Sequence, residues 1–141
     1  MNRPPPDSEP LAPVAPNWRG SGMVLVVDDE EGVRIAATQM IDYFGFQAQE
    51  ADSGQRALDL MREDGSHFDL VLLDLTMPGM DGFATFTAIR QLRPDQPIVV
   101  FSGYSAWDVK QRFAGRNLNG FLPKPFRVDS LCAILRQFSR K

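Results

Sequence analysis

The sequence predicts an α/β domain built on a parallel sheet of five strands, with helices packed on both faces. From Met23 onward, short apolar runs alternate with segments in which apolar residues recur every three or four positions. The first pattern is typical of strands buried on both faces of a sheet, and the second is typical of amphipathic helices. Strands that alternate with helices along a chain pair in parallel through right-handed crossovers. Together the two patterns indicate a doubly wound α/β fold.

The apolar runs predict strands, in chain order, at 23–27, 46–50, 69–73, 97–101 and 119–122. The second strand is the weakest, because polar residues interrupt it. The helical patterns lie at 31–44, 54–63, 82–92, 105–115 and 128–139. Gly45 stands where glycine commonly ends a helix, and Pro94 closes the third helix. The fourth pattern is the poorest in apolar residues, and Asp129 or Ser130 is expected to cap the fifth helix.

Length and composition are those of one globular domain: 141 residues, of which 43% are hydrophobic and 23% charged. A net charge of −3 argues against direct binding to nucleic acid. No apolar stretch is long enough for a membrane span, and the N-terminus lacks the apolar core of a signal peptide. The single cysteine, Cys132, cannot form an internal disulfide and is expected to pack as a small apolar residue. We therefore expect a cytoplasmic protein that contacts neither nucleic acid nor membrane directly.

The first part of the chain differs in composition from the rest. Six of the eleven prolines lie there, namely Pro4, Pro5, Pro6, Pro10, Pro13 and Pro16. Such a composition favours extended, solvated chain. Residues 1–22 are therefore predicted to form a disordered Pro-rich linker or leader, and residues 23–141 the folded domain. Trp18 is expected to pack the end of this segment onto the folded body.

Polar residues end four of the five predicted strands. Asp28 and Asp29 follow the first strand, Asp74 ends the third run, Ser102 follows the fourth strand and Lys124 follows the fifth. Because the carboxyl ends of parallel strands meet at one edge of a sheet, we expect these side chains to lie together. Clustered carboxylates repel one another, so the cluster calls for a bound cation. Oxygen ligands with room for water suit Mg²⁺, with Mn²⁺ as the alternative.

The same edge indicates phosphoryl transfer to a carboxylate nucleophile. Ser102 can donate a hydrogen bond to a phosphoryl oxygen, and Lys124 supplies a positive charge opposite the metal. No glycine-rich P-loop that would hold a nucleotide is present in the sequence. The metal would bridge the nucleophile and the incoming phosphoryl group, and the product would be an aspartyl phosphate at Asp74.

Four segments carry a resemblance to a known family: Val26-Val27-Asp28-Asp29-Glu30, Leu73-Asp74-Leu75-Thr76-Met77-Pro78-Gly79-Met80-Asp81-Gly82, Phe101-Ser102-Gly103 and Lys124-Pro125-Phe126. In this order and at these strand ends, they resemble the receiver domain of two-component response regulators. The resemblance covers about residues 23–139. It implies a flavodoxin-like (βα)5 sandwich with the strand order 2-1-3-4-5.

The resemblance also implies a role for individual residues. Asp74 corresponds to the phosphoacceptor, and Asp28 and Asp29 to the acidic pair, with Asp29 the more direct metal ligand. The backbone carbonyl of Thr76 would be a further metal ligand. Lys124 corresponds to the lysine of the family motif, and the peptide bond that follows it is expected to be cis.

Three further positions are implied to control the signal. Ser102 matches the hydroxyl residue that moves toward the phosphate. Phe121 stands at the aromatic switch position, where many receivers have tyrosine, so its ring movement alone would carry the signal. Thr76 and Tyr104 flank the expected approach of a hydrolytic water and are predicted to tune the lifetime of the phosphate.

The resemblance further implies the partners. A histidine kinase or phosphotransfer domain would donate the phosphoryl group, and a downstream protein would bind through helix 4, strand 5 and helix 5. The isolated chain would be a switch that phosphorylates and dephosphorylates itself rather than an enzyme. The segments 102–104, 112–116 and 121–126, with the proline linker, look more like receivers of hybrid sensor histidine kinases than like those of transcription factors. A free-standing single-domain regulator is the near alternative.

Two other classes of protein remain open. A phosphorylation-independent interaction domain would use the same fold without chemistry, although the intact polar set argues against it. A magnesium-dependent phosphatase with an Asp nucleophile would carry an acid/base Asp two residues later, where Thr76 stands. Outside the cluster we expect simpler roles. Asp81 would cap the third helix, His67 would lie in a loop, and Trp107 would be either core or an exposed contact for a partner.

Overall fold

The computed structural model describes residues 18–63, 65–77 and 81–140. Most of the predicted Pro-rich linker and residues Pro78, Gly79 and Met80 of the third motif lie outside the described residues. The strands are β1 (Met23–Val27), β2 (Gln47–Ala51), β3 (Leu70–Asp74), β4 (Ile98–Ser102) and β5 (Gly120–Pro123). The helices are α1 (Glu31–Tyr43), α2 (Gly54–Arg62), α3 (Gly82–Leu92), α4 (Ala106–Arg112) and α5 (Val128–Phe138).

The strands form one sheet in the order β2-β1-β3-β4-β5, and every neighbouring pair is parallel. Side chains alternate along each strand, so the sheet has two apolar faces. One face packs against α2, α3 and α4, and the other against α1 and α5. The predicted doubly wound, flavodoxin-like architecture and its strand order are therefore confirmed.

Four strand boundaries differ from the sequence prediction by one residue, because β2, β3, β4 and β5 each begin one position later. Phe46 still belongs to the turn that follows α1, since its N–H donates to the carbonyl of Ile41. Pro97 has no N–H to contribute to a sheet ladder. As a consequence Ser102 is the last residue of β4 rather than the first residue after it.

Two details of the helices also differ from the prediction. The helix predicted over 105–115 is shorter, because Ser105 is its N-cap and the chain leaves the helix before Gly115, whose φ is +75°. The N-cap of α5 is Arg127, which makes no side-chain capping bond, so the capping role expected for Asp129 or Ser130 is wrong. Asp129 instead lies in the first turn and pairs with Arg127 at 3.1 Å. A carboxylate there is favourable to the helix dipole.

Trp18 and Gly20, which precede β1, contact the folded body. The ring of Trp18 lies 6.0 Å from that of Phe44 and 6.2 Å from that of Phe46, as expected for this residue. The N–H of Gly20 donates to the carbonyl of Phe44 at 2.8 Å. The domain boundary at residue 22 stays a prediction. Within the described part of the chain, no helix combines the length and the apolar character needed to cross a bilayer.

Candidate functional site

The carboxyl edge of the sheet brings the three predicted acidic residues together. β1 and β3 are neighbours, so Asp28, which follows β1, lies beside Asp74, which ends β3. One oxygen each from Asp28, Asp29 and Asp74 lies within 4.8 Å of the others. Asp28 and Asp74 are buried, whereas Asp29 is exposed. This set of hard oxygen donors, open to solvent on one side, fits the ligand preference of Mg²⁺.

Asp74 is only half satisfied by hydrogen bonds. Its Oδ1 accepts from the backbone N–H of Thr76 at 3.2 Å and from the Thr76 hydroxyl at 3.4 Å. The other oxygen, Oδ2, is buried and has no hydrogen-bond partner among residues 18–63, 65–77 and 81–140. Burial, followed by the nearby charge of Asp28, raises the pKa of the Asp74 carboxyl, and the Thr76 bond and Lys124 oppose this only in part. A cation or an electrophile would stabilise a buried carboxylate oxygen that has no hydrogen-bond partner and whose negative charge is unfavourable.

Lys124 neutralises this acidic cluster. Its Nζ lies 2.8 Å from Asp28 Oδ2 and 3.3 Å from Asp74 Oδ1. Burial alone would lower the pKa of this lysine, but its hydrogen bond to Asp28 and the charges of both carboxylates together raise it. The backbone N–H of Lys124 donates to the carbonyl of Ser102, and the Lys124–Pro125 peptide bond is cis, as the resemblance implied. The ammonium thus joins the ends of β1, β3 and β5.

Ser102 and Tyr104 form the loop beside this cluster. Ser102 is fully buried, and its Oγ accepts a hydrogen bond from the backbone N–H of Tyr104 at 2.9 Å. The hydroxyl is therefore held within its own loop. The ring of Tyr104 is exposed and carries the guanidinium of Arg112 at 5.2 Å from its centroid. Tyr104 accordingly lies at the solvent rim of the edge.

Phe121 lies on β5 in register with Val100 of β4. Its ring is partly buried and packs against the core on the side of α4. It also lines a groove of about 330 Å³ between α4 and β5, next to Val109 and Phe113. The position of this ring therefore helps to shape a surface groove, which is relevant to its predicted part in switching.

Several residues set apart from the chemistry have the expected structural places. Asp81 caps α3, because its Oδ1 accepts from the N–H of Ala84 at 2.8 Å. His67 lies in the loop before β3, at the opposite edge of the sheet, and contacts Asp69 at 3.1 Å. Cys132 is buried in the core. Trp107 is 67% exposed on α4, so it is not a core residue.

The sequence interpretation missed two residues that shape the site. Gly82 begins α3 directly against β3, and a Cβ at this position would overlap the carbonyl oxygen of Asp74 and the Cα of Leu75. The available signal was a glycine at the start of the predicted third helix, at the end of the motif that contains Asp74. The second is Arg34 on α1, whose NH1 donates to the backbone carbonyl of Asp28 at 2.8 Å. No pattern in the sequence distinguishes this arginine from a solvated helix residue.

Comparison with known proteins agrees with this geometry. The family model described as the response regulator receiver domain matches residues 24–136. The chain is 34% identical over 127 residues to sensor kinase CckA of Brucella abortus, covering 90% of this chain and 13% of that protein. It is 34% identical over 120 residues to response regulator MprA of Mycolicibacterium vanbaalenii, covering 84% of this chain and 50% of that protein. The solved structure of chemotaxis protein CheY4 of Vibrio cholerae matches with a TM-score of 0.75 and 27% identity, over 84% of this chain and 98% of that one.

Proposed function

Because the chain belongs to the family of response regulator receiver domains, we propose that it is a phosphoacceptor switch in a His-Asp phosphorelay. In this proposal Asp74 accepts the phosphoryl group of a phosphohistidine, and the acceptance depends on Mg²⁺ or Mn²⁺. The observation that supports it most directly is the buried Oδ2 of Asp74, which lacks a hydrogen-bond partner in the described chain. A carboxylate kept for structural reasons would have both oxygens satisfied.

The transfer is an in-line displacement at phosphorus. An oxygen of Asp74 forms the new P–O bond while the P–N bond of the phosphohistidine breaks, and the bonding electron pair stays on the imidazole nitrogen. Asp28, Asp29, Asp74 and the backbone carbonyl of Thr76 would hold the cation. When bound, the cation would supply positive charge that offsets the charge of the phosphoryl oxygens. Lys124 already contacts Asp74 and would neutralise a further phosphoryl oxygen.

The signal would leave the site through Ser102 and Phe121. A phosphoryl oxygen on Asp74 would accept a hydrogen bond from the Ser102 hydroxyl, whose own oxygen accepts from the N–H of Tyr104 within the loop. Movement of this loop would change the packing available to Phe121 and hence the groove between α4 and β5 that it lines. The bistable element would then be this loop together with the ring. Thr76 and Tyr104 are proposed to set the phosphate lifetime, since Tyr104 lies at the rim of the site.

The proposed downstream surface consists of α4, β5 and α5. Exposed Trp107 lies on α4, and the neighbouring groove is lined mainly by apolar atoms. Exposed aromatic side chains beside an apolar groove are common in protein-binding surfaces. We therefore propose that a downstream protein binds here and responds to the state of Phe121.

The proposed partner on the donor side is a histidine kinase or a phosphotransfer domain. A second groove of about 370 Å³, lined by Val33, Ala36 and Met40 of α1 and by Pro125 and Phe126, leads to Lys124. Its lining is almost entirely apolar, and it opens beside the acidic cluster. A helix that carries the phosphohistidine could pack its apolar face there.

The parent context is proposed to be a hybrid sensor histidine kinase in the cytoplasm. The match to sensor kinase CckA supports this context, whereas the match to response regulator MprA supports a separate response regulator. The chain spans about an eighth of the first protein and half of the second. In both settings the domain described here would be the acceptor and not the kinase.

The test is phosphorylation by acetyl phosphate in the presence of Mg²⁺, followed by intact-mass measurement. We expect a gain of one phosphoryl group, its loss in Asp74→Asn, and its retention in the control Asp52→Asn, which removes an exposed aspartate after β2. No gain in the parent protein would favour a phosphorylation-independent domain. Rapid multiple turnover of acetyl phosphate without a labelled protein would favour a phosphatase. Equal lifetimes of the phosphorylated parent and Tyr104→Ala would reject the tuning role of Tyr104.

A further inference from the structure

Arg34 connects the acidic turn after β1 to the edge strand of the sheet. Its NH1 donates to the backbone carbonyl of Asp28 at 2.8 Å, and its Nε donates to Oε1 of Glu50 at 3.0 Å. The side chain of Arg34 is only 13% exposed, whereas that of Glu50 is 43% exposed. Two nitrogens of one planar guanidinium are therefore fixed to two separate segments of the chain. A guanidinium used in this way is a rigid spacer.

The fold brings these groups together by strand register. Glu50 of β2 is paired with Val26 of β1, and Val26 faces the layer of core residues that packs against α1. Paired residues of parallel strands project to the same face, so Glu50 also lies on the side of α1. Arg34 stands in the first turns of α1, and helix side chains lean toward the N-terminus. The guanidinium thus reaches back to the turn from which α1 begins.

The energetics of the helix do not explain this arginine. A positive charge near a helix N-terminus is opposed by the helix dipole, so the position favours acidic residues. An ion pair to the exposed Glu50 alone would contribute little to the stability of the protein. What distinguishes Arg34 is its hydrogen bond to the carbonyl of Asp28, because this bond is made to the backbone of a site residue.

That backbone determines the direction of the Asp29 side chain. The carboxylate of Asp28 is held by the N–H of Glu30 at 2.8 Å and by Lys124, and its N–H donates to the carbonyl of Ala51. Arg34 fixes the remaining polar group of Asp28, its carbonyl, and so the plane of the peptide that joins Asp28 to Asp29. Asp29 is exposed, and its carboxylate must point at the cluster to hold a cation.

We propose that Arg34, braced by Glu50, is a positioning residue that orients the peptide between Asp28 and Asp29 for divalent cation binding. The inference rests on the proposed function, since it concerns the metal ligands of the same site. Its effect is on orientation more than on charge, because Glu50 neutralises the guanidinium. Lys at this position would keep the charge but has a single nitrogen and cannot make both contacts in the same geometry.

The experiment measures Mn²⁺ binding directly, from the electron paramagnetic resonance signal of the free ion. In Arg34→Ala we expect the Kd for Mn²⁺ to rise about tenfold, as is typical when a residue that orients metal ligands is removed. Arg34→Lys is expected to resemble Arg34→Ala. The control is Arg62→Ala, which removes an exposed arginine 3.9 Å from Asp59 and is expected to bind like the parent protein. Circular dichroism verifies that each variant is folded.

A second readout separates binding from chemistry. The Mg²⁺ concentration that gives half-maximal labelling by acetyl phosphate should rise in Arg34→Ala, while labelling at saturating Mg²⁺ returns toward that of the parent. If Arg34→Ala does not fold, Glu50→Ala removes only the outer, exposed contact and should raise the Kd for Mn²⁺ by a smaller factor.

The outcomes distinguish this inference from the proposed function. Parent-like Kd values in Arg34→Ala or in Glu50→Ala would overturn the role of Arg34, even if Asp74 is labelled normally. A parent-like Kd in Arg34→Lys would mean that a positive charge alone is sufficient at this position. It would therefore also overturn the positioning role of Arg34. A parent protein that binds Mn²⁺ but is not labelled would contradict the proposed function. The ratio of the variant Kd to the parent Kd would still test the role of Arg34. A parent protein that binds no Mn²⁺ would overturn both the proposed function and the role of Arg34.

Discussion

Two aspartates at opposite ends of the same strand have opposite environments. Asp69 directly precedes β3, and both of its oxygens are used: Oδ2 accepts from the N–H of Met23 at 2.8 Å and from Arg140 at 2.9 Å, and Oδ1 contacts His67. Burial raises the pKa of the Asp69 carboxyl, but these bonds outweigh it and the net pKa is lowered. Asp74 ends β3 with one oxygen unpartnered in the described chain and a raised pKa.

This difference separates a carboxylate whose charge is compensated by its contacts from one whose charge is not. At the amino edge, the Asp69 carboxylate connects the start of β1 to Arg140. The backbone N–H of Arg140 also donates to the carbonyl of Ser21. At the carboxyl edge, two buried carboxylates share one lysine, so the charge is incompletely compensated. Proteins accept such unfavourable arrangements mainly where a ligand or a reaction completes them. The removal of the charge at Asp69 and at Asp74 should therefore change the stability of the protein with opposite signs.

The largest expected effect concerns the close approach of α3 to the carboxyl edge. Gly82→Ala should lower the free energy of unfolding by about 3 kcal/mol, because the new Cβ would overlap the backbone of Asp74 and Leu75. Urea denaturation measures the loss. The matched control is Gly32→Ala in α1, where a new Cβ meets no atom within 4 Å. This control should stabilise the protein by about 0.5–1 kcal/mol through helix propensity. Equal stability of Gly82→Ala and the parent would contradict the packing described here.

At the amino edge, Asp69→Asn should destabilise the protein by about 2 kcal/mol near neutral pH. The reason is the loss of charge-assisted hydrogen bonds from Met23 and Arg140 to a largely buried carboxylate. Urea denaturation again provides the measurement, with the exposed Asp52→Asn as control. Unchanged stability would mean that the contacts of Asp69 contribute nothing beyond those of an exposed aspartate.

At the carboxyl edge, Asp74→Asn should stabilise the metal-free protein by about 1 kcal/mol, the common gain when an unfavourable functional group is removed. The substitution relieves the repulsion from Asp28 and leaves Lys124 paired with Asp28. Thermal unfolding in the presence of a chelator measures the effect. A loss of stability comparable to that of Asp69→Asn would remove the distinction between the two edges.

The smallest expected effect is the pH dependence of these two differences. The folded pKa of Asp69 is lowered, so its contribution is present above the unfolded value of about 3.9 and is lost as the pH falls through the folded pKa. The folded pKa of Asp74 is raised, so its cost is absent below about 3.9 and develops as the pH rises through the folded pKa. The difference between parent and Asp69→Asn, and that between parent and Asp74→Asn, should thus both shrink in acid. Urea denaturation of the three proteins across this pH range tests it, and pH-independent differences would contradict the assigned causes.

Much of the fold was predictable because its signals are local. Apolar runs that end in Asp74 or in Ser102 define both a strand and the polar residue at its carboxyl end, and Gly45, with a φ of +91°, stops α1 where expected. The exact strand starts depend on single hydrogen bonds, such as that from Phe46 to Ile41, which a sequence does not display. The predicted N-cap of α5 was wrong because the sequence is compatible with Asp129 either as the N-cap or as a residue of the first turn.

The arrangement of the acidic side chains was predictable to the same extent as the motifs that contain them. Asp28, Asp29 and Asp74 meet as expected because parallel strands share an edge. The supporting contacts were not predictable, since Arg34 reaches Glu50 only through the register of β1 with β2. Residues that act on backbone atoms leave no side-chain pattern in the sequence.

The most direct test of the central claim is to locate the phosphoryl group. After labelling with acetyl phosphate and Mg²⁺, reduction of the acyl phosphate with borohydride converts the modified aspartate to homoserine, and peptide mass spectrometry identifies its position. We expect the change at Asp74 alone, with Asp28, Asp29 and Asp69 unmodified. Conversion of any other aspartate, or of none in a folded protein supplied with Mg²⁺, would contradict the assignment of Asp74 as the nucleophile.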